Sequence, residues 1–73
     1  MEMKEITVEI YAINPRRYIK QWPNVPVALV PQKGDRIVVH FGDDDEEEFV
    51  YEVKYRQIDG LNMNKITVYV QFA

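Results

Sequence analysis

From Lys4 to Ile13 apolar and polar side chains take turns: Ile6, Val8, Ile10 and Ala12 fall on one side of an extended chain, Glu5, Thr7, Glu9 and Tyr11 on the other. Successive side chains of a strand point to opposite faces, so this period of two predicts a β-strand with one buried face. The pattern returns three times. Ile37, Val39 and Phe41 lie on one face of 36–41; Phe49, Tyr51, Val53 and Tyr55 alternate with Val50, Glu52, Lys54 and Arg56; and Ile66, Val68, Val70 and Phe72 end the chain. An apolar set rich in Val, Ile, Tyr and Phe suits pleated, half-buried surfaces, which restricts the chain to sheet architectures.

The connections between these runs fix the order of elements. Asp43, Asp44, Asp45, Glu46, Glu47 and Glu48 follow Gly42 and separate two alternating runs, which makes them the predicted tip of a hairpin. Pro31 to Asp35 and Asp59-Gly60 are predicted turns. Pro23, Pro26 and Pro31 each lack a backbone donor, so Val27 to Val30 can form only a short or edge strand. Between the first strand and Pro23, Asn14-Pro15 offers a helix N-cap followed by proline at the first helical position. Tyr18 and Trp22 then lie four residues apart with Ile19 beside them, while Arg16, Arg17 and Lys20 can face water, and this spacing predicts a short helix near residues 15–22.

The stretch Val30-Pro31-Gln32-Lys33-Gly34-Asp35-Arg36-Ile37-Val38 resembles the turn that opens a core strand in many SH3-like barrels. That resemblance implies a fold and carries no functional residue. The expected architecture is one mainly β domain over residues 1–73: a small five-stranded antiparallel barrel or coiled sheet, SH3-like at the level of fold, with one short helix near 15–22.

Length and composition narrow the function. A chain of 73 residues buries only about 60% of the surface that its unfolded form exposes. It has no cysteine to add a disulfide or a thiolate metal site. The absence of cysteine, of a basic-then-apolar leader and of a long apolar run leads to the expectation of a cytoplasmic protein without membrane insertion. The net charge of -3 is unevenly spread, with residues 1–42 at +2, 43–48 at -6 and 49–73 at +1, so one acidic loop is attached to a mildly basic body.

Catalytic groups are scarce. His40 is the sole histidine, aliphatic hydroxyls are limited to Thr7 and Thr67 on predicted strands, and Gly34, Gly42 and Gly60 sit at separate turns, so neither a triad nor a phosphate-cradling loop can be assembled. The contiguous acids lack the alternate ligand spacing and internal glycine of a calcium loop. No catalytic, cofactor or metal residue is therefore expected, and no small-molecule substrate.

Two surfaces invite a partner. The side of the sheet opposite the core set carries Tyr11, Val38, His40, Val50 and Tyr69, which is less polar than a plain solvated face. Its candidate contact residues are Tyr11, Glu9, His40, Lys54, Arg56 and Tyr69, with the acids from Asp43 to Glu48 as a possible handle for a basic partner. Together they suggest a non-catalytic protein-binding accessory, adaptor or inhibitor module, able to bind another protein or a second copy of itself. The alternative is a small nucleic-acid-binding barrel that uses Arg16, Arg17, Lys20 and Trp22, against which the acidic loop would repel a polyanion.

Overall fold

A computed structural model describes residues 5–73; Lys4, at the predicted start of the first strand, and the rest of 1–4, where a leader would begin, lie outside them. Five strands form in chain order: β1 (Glu5–Ala12), β2 (Arg17–Pro26), β3 (Arg36–Phe41), β4 (Glu47–Ile58) and β5 (Lys65–Phe72). They make one sheet in the order β2-β1-β5-β4-β3, curled into a half-barrel. The mainly β, five-stranded coiled sheet expected from the alternation is thus the fold.

The sheet is mixed rather than wholly antiparallel. β1 pairs antiparallel with β2, and β4 with both β5 and β3, but β1 and β5 run parallel, with Val8 opposite Ile66 and Tyr11 opposite Tyr69. A parallel pair needs a crossover of a dozen or more residues, and everything between Ile13 and Asn64 supplies it. Side-chain alternation is identical in both pairings, which is why the sequence could not distinguish them.

The concave side holds the core. Val8 and Ile10 of β1, Val39 of β3, Val53 of β4, and Val68 and Val70 of β5 are fully buried, and Ile6, Val30, Ile37, Tyr51 and Ile66 surround them. Full burial of an aliphatic side chain of this size stabilises by about 1.5–3 kcal/mol. Phe72, grouped with the core by its parity, lies at the end of β5 and is 67% exposed.

The expected helix is absent: 17–26 is the edge strand β2. Ile6 lies opposite Val25 but Val8 opposite Trp22, and Ile10 lies opposite Lys20 but Tyr11 opposite Tyr18, so β2 holds one extra residue at each of two bulges. Its core-packed residues Ile19, Trp22 and Val25 consequently recur every third position, a spacing that imitates a helical face. Asn24 takes the left-handed conformation at one bulge, with φ 58. Pro23 and Pro26 are tolerated because one side of an edge strand requires no ladder donors. Asn14-Pro15, expected as a helix cap, instead forms the β1–β2 hairpin turn, with a cis peptide bond and Asn14 at φ 53.

Three smaller corrections follow. Val27–Leu29 is a 3₁₀ turn rather than a strand, and the Val30 N–H donates to the Val27 carbonyl. β4 carries a bulge between Val53 and Tyr55, which swings Tyr55 off the face of Tyr51 and Val53 and places it opposite Tyr69. The acidic run is part tip and part strand, because Glu47 and Glu48 already pair with Phe41 and His40. The predicted turn before β3 does form: the Asp35 carboxylate accepts the Gln32 N–H at 2.8 Å, and Gly34 supplies a φ of 92.

Candidate functional site

Register brings four tyrosines from four adjacent strands into one row across the outer face. Tyr18 of β2 lies opposite Tyr11 of β1, Tyr11 opposite Tyr69 of β5, and Tyr69 opposite Tyr55 of β4. Ring centroids are 5.6 Å apart for Tyr11–Tyr18, edge to face; 6.1 Å for Tyr11–Tyr69; and 4.7 Å for the stacked Tyr55–Tyr69 pair. Each contact of this type adds about 0.5–1.5 kcal/mol beyond area burial. Two bulges make the row possible, since without the shift at Ile10/Tyr11 and that at Val53/Tyr55, Tyr18 and Tyr55 would point elsewhere.

Arg16, from the hairpin turn, lays its guanidinium 4.8 Å from the Tyr11 ring centroid and 5.8 Å from that of Tyr69. The ring quadrupole attracts the cation, and Arg16 remains exposed. The Tyr69 hydroxyl donates to Gln57 Oε1 at 3.3 Å. Exposure rises toward the ends of the row: Tyr69 is 8% exposed and Tyr11 half-buried, whereas Tyr18 and Tyr55 are 53% and 50% exposed.

A polar row lies two residues along each central strand. Register aligns Gln21, Glu9, Thr67 and Gln57, and Lys65 donates to Glu9 at 2.8 Å. The hydrogen bond from Lys65 to Glu9, reinforced by the Glu9 charge, holds the Lys65 ammonium above its ordinary pKa. Beyond the other side of the tyrosine row, Lys54 donates to Glu52 at 2.9 Å and, by that bond and its charge, pulls the Glu52 carboxyl below its ordinary pKa. The face is therefore aromatic in the middle with a polar, charged border.

Of the six residues expected to form a partner surface, the structure gathers Tyr11, Tyr69 and Glu9. Lys54 borders them through its pair with Glu52. Arg56 stands opposite Val68, on the other face from Tyr55, because of the β4 bulge. His40 lies on the far edge strand, its Nδ1 3.3 Å from the Asp45 carbonyl oxygen. Sequence reasoning left Tyr18, Tyr55 and Gln57 out of both candidate surfaces and gave Arg16 only to the alternative one. Four of the chain's five tyrosines enter the row, so residue type was a better guide than periodicity.

The alternative set does not form one track. Arg16 covers Tyr11; Arg17 borders a cleft of about 390 Å3 beside Tyr51 and Phe72; Lys20 donates to the His40 carbonyl across the sheet's open side; and Trp22 is half-buried against the core. Among the described residues no three His, Asp or Glu side chains converge as metal ligands, and no helix is long and apolar enough to cross a membrane. Comparison with protein-family models, curated proteins and solved structures finds no match to this chain.

Proposed function

We propose that this chain is a non-catalytic protein-binding module whose contact surface is the Tyr18–Tyr11–Tyr69–Tyr55 row with Arg16. The row carries the proposal: an ordered strip of aromatic rings, half-open at both ends and topped by an exposed cation. Tyrosine brings large contact area with few rotatable bonds, and tyrosine and arginine dominate the residues whose truncation weakens interfaces most. The interlocked inner rings are fixed before any partner arrives, so little ordering entropy remains to be lost on binding.

An accessory, adaptor or inhibitor role fits a domain that presents one rigid face. The test is partner capture from the native extract by the wild-type chain and by Tyr18→Ser/Tyr55→Ser, with folding of both checked by circular dichroism. The double variant is expected to lose the partner while a chain with its acidic loop neutralised keeps it; retention by the tyrosine variant overturns the proposal. Capture should also persist as salt rises, because a phosphate-driven contact would weaken steeply over the same range.

A further inference from the structure

We infer a second, separate docking site at the free edge of β3, built to take an extended peptide in which basic side chains alternate with apolar ones. In the β3–β4 ladder the Val53 N–H donates to the Asp35 carbonyl at 2.9 Å, so Asp35 directs its carbonyl toward β4. Antiparallel pairs alternate, and the backbone groups of Arg36, Val38 and His40 consequently face away from β4, out of the sheet. β3 is the last strand of the order, contains no proline and has Val38 42% exposed, so this edge is a template for another strand.

One of those edge groups already has an occupant. Lys20, reaching across from β2 at the opposite end of the sheet order, donates its ammonium to the His40 carbonyl and lies 5.7 Å from the Phe41 ring. The two edges do not pair with each other; they flank a slot of about 530 Å3 bordered by Lys20, Trp22, Val38, His40 and Asp45. A lysine thus fills part of the place where a strand's N–H would sit.

Charge selects the peptide. The loop that follows β3 carries the contiguous acids, Asp45 borders the slot, and its backbone carbonyl lies 3.3 Å from His40 Nδ1. Among the described residues Lys20 is the one lysine or arginine bordering the slot and Asp45 the one carboxylate, with the other five acids of the run following or preceding Asp45 in the loop and the start of β4. An incoming basic side chain would meet attraction from the loop, and an acidic one repulsion. Apolar side chains at alternate positions would point inward to Trp22, and the basic ones between them outward, on the side of Val38 and His40. The incoming backbone would displace Lys20 from the His40 carbonyl.

The test uses the full isotopically labelled chain and two synthetic eight-residue probes, one alternating lysine with valine and one alternating glutamate with valine. The lysine probe is expected to shift the amide resonances of Arg36, Val38 and His40 and to slow their hydrogen exchange, with no effect from the glutamate probe. Lys20→Met should tighten lysine-probe binding severalfold, because the edge carbonyl no longer has a competing donor. Replacing Asp43, Asp44 and Asp45 by Asn and Glu46, Glu47 and Glu48 by Gln should abolish the preference between probes. Equal binding of the two probes to the wild-type chain, shifts confined to the tyrosine row, or no binding of the lysine probe at millimolar concentration each overturn the inference. Val38→Pro removes an edge donor and should lose the probe if its core resonances stay unchanged; if that variant unfolds, the acid-neutralised chain still decides.

Discussion

The two hairpins of this sheet follow different rules. In β3–β4 every residue from Arg36 to Phe41 meets its partner in one unbroken register; in β1–β2 the register slips twice over a comparable length. The regular hairpin buries alternate residues and announces itself in the sequence. The bulged hairpin gives up that regularity, and in return Tyr18 is aimed at Tyr11 and Lys20 across the open side. Regular pairing keeps the core face of β3 and β4 in step and leaves the β3 edge straight, and irregular pairing builds the tyrosine row.

The largest expected effect tests that division in the core. Ile10→Ala, at a fully buried position, is expected to destabilise by about 2–5 kcal/mol in urea unfolding, and Ile19→Ala, half-buried at a bulge, by clearly less. Equal losses would mean that the bulged strand contributes as much packing as the regular one. Next comes the bulge itself. Asn24 at φ 58 and Asp45 at φ 54 hold left-handed backbone, one in each hairpin. Asn24→Val should cost about 1–2 kcal/mol while Asp45→Gly costs nothing measurable; a harmless Asn24→Val would show that the bulge relocates freely.

Third, a double-mutant cycle on Tyr55 and Tyr69 should give a coupling of about 0.5–1.5 kcal/mol, the share due to their stacked contact. A coupling near zero would reduce the row to neighbours without mutual support. The smallest effect concerns the charged border. Glu52, held below its ordinary pKa by Lys54, contributes its stability above the ordinary glutamate range and loses it as the pH falls through the lowered value. Lys65, held above its ordinary pKa by Glu9, contributes below the ordinary lysine range and loses it as the pH rises through the raised value. Both side chains are partly exposed and screened by solvent, so the check is site-specific: an NMR titration in which Lys54→Met returns the Glu52 carboxyl to its ordinary range.

The contrast between hairpins also marks how far the sequence can be read. Ile6 to Ala12, Ile37 to Phe41 and Ile66 to Val70 gave strands with the correct buried face, because a side-chain period of two is a local property of extended backbone. In β2 the same method failed. Ile19, Trp22 and Val25 share a face only because β1 imposes two extra residues on its partner, and no local preference of 15–22 records that demand. Tyr55 and Arg56 stand on the faces opposite to those their alternation predicts for the same reason, the β4 bulge.

By itself, then, the sequence determined a β-rich chain, most of its core positions, the turn before β3 and the placing of the acids beside a hairpin tip. Tertiary pairing alone decided that β1 and β5 run parallel, that 17–26 is a strand, and that tyrosines scattered from position 11 to 69 form one row. The physical reason is common to all three. Alternation constrains which side chains share a face within one strand, whereas register, direction and bulges are set by hydrogen bonds to a neighbouring strand that is remote in sequence.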